Sequence, residues 1–308
     1  MTRNRQTGTS NRNERLPTAP SAEAAGRMTL GGDLTVNRLG FGAMRLTGEG
    51  IWGPPADRDE ALRVLVRAVE LGIDFIDTAN SYGPHYSEEL ISEALFPYPD
   101  DLAIATKGGL ERAGPGRWHP KGEPDYLRRE LEGSLRRLRV DSVDLYQLHR
   151  IDPEIPESEQ FMALRDFLDE GLVQRVGLSE VNVEQIERAR AIVPIASVQN
   201  RYNLEDQHWN WVLEHCEREG IVFLPWAPLS AGKIGDDGAL LARVAERHDA
   251  TPMQVAIAWL LARSPIILPI PGTSRVAHLE ENVAAASLEL TRDDLEELAR
   301  STTRSIPD

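Results

Sequence analysis

Residues 57–86, "DRDEALRVLVRAVELGIDFIDTANSYGPHY", change period in mid-course, and that change decides the fold. From Asp57 to Leu71 the apolar residues Leu62, Leu65 and Val69 return every three or four positions, which is the spacing of an amphipathic helix. "IDFIDTA" is then an apolar run short enough for a strand buried on both faces. It ends on Asp77, an acid set where burial should stop, and Tyr82 follows just before a Gly-Pro turn.

The same alternation repeats along the chain. Strand-like runs occur at "RLGFGAM", "IDFIDTA", "DLAIATKGG", "SVDLYQLH", "LVQRVGLS", "PIASVQN", "GIVFLPWAPLS" and "PIILPIPGT". Helical stretches are predicted at 57–71, 86–95, 124–138, 157–170, 183–191, 206–219, 238–262 and 275–285. Eight strand and helix pairs with right-handed crossovers close most simply into an α/β fold, a (β/α)8 TIM barrel of about 250 residues. "MTLGGDLTVNRLG" ahead of them predicts an N-terminal β-hairpin around Gly-Gly-Asp. An open doubly wound sheet is the competitor, but "LGFGAM" lacks the third glycine of a G-x-G-x-x-G fingerprint. No compositional shift divides the chain. Residues 1–27, polar and rich in Arg, Asn and Thr, are expected as a disordered tail, and 28–308 as one barrel domain.

Composition limits the functions open to it. The chain has 308 residues, 41% of them hydrophobic, enough for a large core. No apolar run approaches the roughly 18 residues of a membrane span, and the N-terminus lacks the hydrophobic segment of a secretory signal. Cys216 is the single cysteine, which excludes an internal disulfide and suits a reducing compartment, so a cytoplasmic location is expected. A net charge of −15 opposes nucleic acid and anionic lipid, so any anionic ligand needs locally placed donors. The expected partner is a small molecule, bound by a monomer or weak homo-oligomer. The seven histidines show no metal-binding spacing, and neither a nucleophile elbow nor a phosphate-cradling P-loop is present.

Polar residues gather where strands should end. Asp77, Lys107, His149, Ser179 and Gln199 close the second to sixth runs, the face on which barrel enzymes react. Singly they have ordinary readings: Asp77 as a cap, Lys107 as a surface lysine, His149 as a satisfied structural histidine, Tyr82 as a turn residue. Together they predict a site. Asp77 and Lys107 on neighbouring strands can form a buried ion pair. The ammonium is then expected to lower the pKa of Tyr82 toward that of a general acid, with His149 orienting the same substrate oxygen. That set suits protonation of a carbonyl oxygen as a hydride reaches its carbon.

These four residues, with "GLS", "VQNRYN", "WAPLSAG" and "IPGTSRVAHLEEN", resemble the aldo-keto reductase family over roughly residues 28–300. The resemblance implies a (β/α)8 barrel, NADPH/NADP as cofactor and reversible carbonyl reduction. It implies Tyr82 as general acid, Lys107 as its modulator, Asp77 as partner of Lys107, and His149 as the orienting group. For the cofactor it implies Trp226 stacked on the nicotinamide, Ser179 and Gln199 on its carboxamide, and Gly42, Ala43, Met44 and Asp77 beside it. Ala227, Pro228, Leu229, Ser230, Gly232 and Lys233 would cover the pyrophosphate. Gly272, Thr273, Ser274 and Arg275 would meet the 2'-phosphate at a helix start, and His278, Glu281 and Asn282 the adenine. Glu180 stands where many relatives have Asn, so its contact with the carboxamide is open.

The substrate pocket is expected from long Gly/Pro-rich loops, with Trp52 and Trp118 joining Tyr82 and His149, and Arg112, Arg117 and His119 nearby. Aromatic walls with a basic edge suit a flat polar carbonyl compound. "GFGAMRLTGEGIWGPPADRDEA" and "ATPMQVAIAWLL" resemble the pyridoxal reductase branch of the family, which implies pyridoxal or a similar small aldehyde. A nucleotide-binding regulatory subunit with little turnover is the alternative. Such relatives have Asn where His149 stands.

Overall fold

The computed structural model describes residues 19–227 and 238–302. Seven strands form one parallel sheet: β3 (Phe41–Gly42), β4 (Phe75–Asp77), β5 (Ala103–Gly108), β8 (Leu145–Leu148), β9 (Val176–Ser179), β10 (Ser197–Gln199) and β11 (Val222–Phe223), adjacent in that order. The eighth stave is the run 266–271. Phe223 N donates to Ile266 O and Leu268 N to Phe223 O, both at 2.9 Å, while Gly40 N donates to Pro269 O, also at 2.9 Å. Pro269 and Pro271 have no N–H to give back, so this stave only accepts toward β3 and forms no regular ladder. The sheet therefore closes into the expected (β/α)8 barrel.

Helices fill the outside. The first, α1 (Arg58–Glu70), starts where Asp57 accepts a hydrogen bond from Glu60 N and buries Ala61, Val64, Leu65 and Ala68. α2 (Tyr86–Leu95), α3 (Pro124–Leu138), α4 (Glu157–Asp169), α5 (Val183–Arg190) and α6 (Asn210–Glu219) follow β4, β5, β8, β9 and β10 in turn. The predicted helix 238–262 is two: α7 (Gly238–Arg247) and α8 (Pro252–Arg263). Asp249 takes a positive φ of 50°, and Thr251 with Gln254 forms a capping box ahead of Pro252, so the second helix is nucleated afresh. α9 (Val276–Ala284) and an additional helix, α10 (Arg292–Thr302), are the last described elements. No described helix is long and apolar enough to cross a membrane.

Two hairpins flank the barrel. The expected one pairs β1 (Arg27–Leu30) with β2 (Leu34–Asn37) around Gly31 and Gly32, whose positive φ values of 64° and 91° need glycine. Its Leu30 and Val36 pack with Phe75, Ala103, Leu145, Val222 and Leu268 inside the barrel, so it plugs one end. The second, unexpected, pairs β6 (Leu110–Gly114) with β7 (Arg117–Pro120) at the opposite mouth. Order also reaches into the segment expected as a tail. Ala22–Ala25 already form a 3-10 turn, because Ala22 is buried in the main core and its N–H donates to Leu71 O at 2.8 Å.

Candidate active site

Alternation along parallel strands brings the polar residues to one face. Lys107 is wholly buried on β5, and its Nζ donates to Asp77 Oδ2 at 2.6 Å, Thr78 O at 2.8 Å and Tyr82 Oη at 3.3 Å. Burial pulls the lysine pKa down, but Asp77 and Tyr82 outweigh it and hold the group above its ordinary value. The charged form is thus favoured in a dry place, where all three N–H donors find acceptors.

Asp77 is held from its other side. Its Oδ1 accepts from Gln147 Nε2 and Gln199 Nε2, each at 2.9 Å, and Gln199 Nε2 also lies 3.3 Å from Gln147 Oε1. The expected carboxamide contact Gln199 therefore spends its amide nitrogen on Asp77. Gln147 was not anticipated, although it sits two residues before His149 on β8 and so shares that residue's face.

The expectation for Tyr82 is corrected in sign. Burial raises its pKa, and the opposing pull of Lys107 does not overcome it, so the phenol stays protonated. His149 lies edge-on to Tyr82 with ring centroids 5.9 Å apart. Its pKa falls well below the ordinary histidine value through burial and the positive charges of Lys107, Arg150 and Arg112, so the ring is neutral. Nδ1 faces Ser81 Oγ at 3.4 Å. If the hydroxyl donates to Nδ1, Nε2 keeps its proton for a ligand.

The mouth is aromatic and cationic. Trp118 sits 6.3 Å from His149 by ring centroids, and the Arg112 guanidinium stacks 3.6 Å from the Trp118 ring centre and 5.5 Å from that of Trp52. Arg117 and His119 are exposed on the hairpin. Trp226 is half-buried, its Nε1 donating to Glu180 Oε1 at 2.6 Å; that oxygen also accepts from Arg201 N at 2.7 Å. Glu180 is thereby pinned to the Trp226 indole, and Ser179 Oγ accepts from Arg150 Nη1 at 3.0 Å.

Gly42, Ala43 and Met44 run from β3 into a 3-10 turn, and a Cβ on Gly272 would run into Gly42 O, so glycine permits this closure. Ser274 and Arg275 are exposed at the start of α9, Thr273 Oγ1 accepts from Arg275 N at 3.2 Å, and the first helical N–H, of Val276, donates to Glu60 Oε1 at 2.9 Å. His278 is exposed, Asn282 buried, and Glu281 accepts from Thr251 Oγ1 at 2.6 Å. A helix start with an exposed arginine and serine fits an anionic group, with Glu60 already showing that a carboxylate oxygen is accepted there. Ala227 has a positive φ of 51°, and the expected Pro228, Leu229, Ser230, Gly232 and Lys233 lie outside the described residues.

The parallel barrel thus brings a buried acid, lysine, tyrosine and histidine together at one mouth, the constellation expected of carbonyl chemistry. Residues 38–302 match the aldo/keto reductase family. An uncharacterized oxidoreductase of Schizosaccharomyces pombe is 51% identical over 275 residues, 89% of each chain. Pyridoxine 4-dehydrogenase of Escherichia coli is 43% identical over 273 residues, 87% of this chain and 95% of that one. The crystal structure of the thermostable aldo-keto reductase Tm1743 with the inhibitor epalrestat superposes with a TM-score of 0.80 at 31% identity, covering 89% of this chain and 98% of that one. The chain belongs to the aldo/keto reductase family, and with it to the NADP-dependent oxidoreductases.

Proposed function

We propose that this chain reduces a small aromatic or polar aldehyde, pyridoxal or one like it, with Tyr82 as the proton donor. The observation that carries the reading is the buried line Asp77, Lys107, Tyr82, with neutral His149 set edge-on to the phenol. Bound NADPH supplies a hydride. The chain's own groups handle the oxygen. His149 donates a hydrogen bond that places the carbonyl oxygen by Tyr82, and Tyr82 Oη gives up its proton as negative charge develops there. Lys107 Nζ, already directed at that hydroxyl, stabilises the phenolate left behind, and Asp77 keeps the ammonium charged. Carbon has then gained hydride and oxygen a proton, giving the alcohol.

The aromatic mouth supports a flat substrate. A dehydrogenase acting at the 4-position of pyridoxine is, in reverse, a reductase of the matching aldehyde, so the Escherichia coli relative supports the vitamer class. Tyr82→Phe is the test. NADPH-dependent aldehyde turnover should fall by about 10²–10⁴-fold, the worth of a positioned general acid, while NADPH affinity measured by fluorescence titration changes little. Full activity in the variant would remove Tyr82 from the chemistry.

A further inference from the structure

Arg150 follows His149 directly at the top of β8 and is half-buried. Its Nη1 donates to His149 O at 2.5 Å and to Ser179 Oγ at 3.0 Å, so the guanidinium lies across the ends of β8 and β9. Its Nε and Nη2 meet no acceptor among the described residues, and no described carboxylate comes within ion-pair distance of it. The acid whose charge it feels, Glu180, is committed through Oε1 to Trp226 and Arg201. Arg112, across the mouth, donates among the described residues only to the carbonyls of Gly50, Ile51, Ser81 and Gly114. Two guanidiniums with no carboxylate counter-ion among the described residues thus border His149 in a chain whose net charge is −15. Desolvating a guanidinium without a partner costs free energy. Its planar fork, with one edge open, matches two oxygens of an anion.

We propose that Arg150 is a specificity-determining residue that selects carbonyl substrates bearing an oxyanion substituent, a carboxylate or phosphate on the same small ring. The inference rests on the reductase reading and names the chemistry its substrate carries. The negative field of the whole chain repels such a molecule, so the selection has to be local. A role limited to bracing β8 against β9 through Ser179 would affect charged and neutral substrates alike.

The test compares 4-carboxybenzaldehyde with methyl 4-formylbenzoate, a neutral ester of similar shape, and adds 4-formylphenyl phosphate, each reduced with NADPH. The wild-type kcat/KM should favour the acid or the phosphate over the ester by about tenfold or more, as expected for a charge-assisted hydrogen bond. The larger of the two preferences identifies which oxyanion fits. Arg150→Met should bring the ratio near one, whereas Arg150→Lys should keep part of it. Because the ratio is taken within one enzyme, a general loss of activity or folded fraction cancels. A wild-type ratio near one, or a preference that survives Arg150→Met, overturns the inference while ester turnover leaves the reductase reading standing. Turnover of none of the three overturns both.

Discussion

At Tyr82 two effects oppose: burial favours the neutral phenol and Lys107 favours the phenolate. Burial prevails, and the direction has a kinetic consequence. A group that must give a proton works while protonated, so reduction should run at full rate below its pKa and fall as pH rises through it. With the value raised, the falling limb should lie at or above the ordinary tyrosine range near 10. His149, lowered well below the ordinary histidine value, should add no acid limb near pH 6–7. A kcat profile flat from about pH 7 into the alkaline range checks this; a midpoint near neutrality would mean that Lys107 dominates after all. Asp77, Lys107 and His149 were legible in the sequence because an ionisable group closing an apolar run has few ordinary reasons to be there. Gln147 was not, since an amide inside "LYQLH" carries no charge to draw notice. The sign at Tyr82 is not legible in the sequence, because proximity to Lys107 can be inferred from strand order, whereas the depth of burial, 5% exposed, depends on everything packed around it.

One side chain joins the backbone hydrogen bonds from Gly53 N to Gly83 O, Gly83 N to Ile51 O and Gly116 N to Gly50 O in holding the loops at the mouth. Arg112 Nη1 donates to Ile51 O at 2.8 Å and Ser81 O at 2.9 Å, Nη2 to Gly50 O at 3.0 Å, and the guanidinium stacks on Trp118. It ties the β6–β7 hairpin to the loops after β3 and β4, the three segments that bring Trp52, Tyr82 and Trp118 together. Removing it with Arg112→Met should raise KM for aldehyde by roughly tenfold, the worth of one charged hydrogen bond, with a smaller effect on kcat. Amide exchange should quicken in 110–120 and 48–53 but not in β5 or β8, and unchanged exchange there would refute the tie. This dependence explains why "GGLERAGPGRWHPKGEP" resisted prediction: its hairpin is held by carbonyls some 30 and 60 positions away. Helices such as 86–95 and 124–138 were legible to the residue because their signals are local. The break between α7 and α8 is locally written too, in Thr251, Pro252 and Gln254, but the apolar stretches on either side of "ERHDATP" read as one helix when that polar segment is passed over.

The barrel closes on itself through a stave that forms no regular ladder, is plugged at one end by the β1–β2 hairpin, and carries α10 as an outer clamp. That clamp converges on Asp294, 3% exposed. Its Oδ1 accepts from Arg247 Nη2 at 2.6 Å, and its Oδ2 accepts from Thr291 Oγ1 at 2.6 Å and lies 2.8 Å from His248 Nε2. Burial pushes the carboxyl pKa up, but the hydrogen bonds from Thr291, His248 and Arg247 prevail and hold it far below the usual carboxylate range. A depressed folded pKa means that the contribution to stability is complete above the unfolded value of about 3.9 and is lost as pH falls through the folded value. Asp294→Asn should therefore cost about 1–3 kcal/mol at pH 7, in the range for charged hydrogen bonds, read as a lower urea midpoint. The gap to wild type should hold down to about pH 4 and narrow below it. A gap that is absent at pH 7, or that widens in acid, would show that α10 is held by its buried Leu298 and apolar packing and not by this carboxylate.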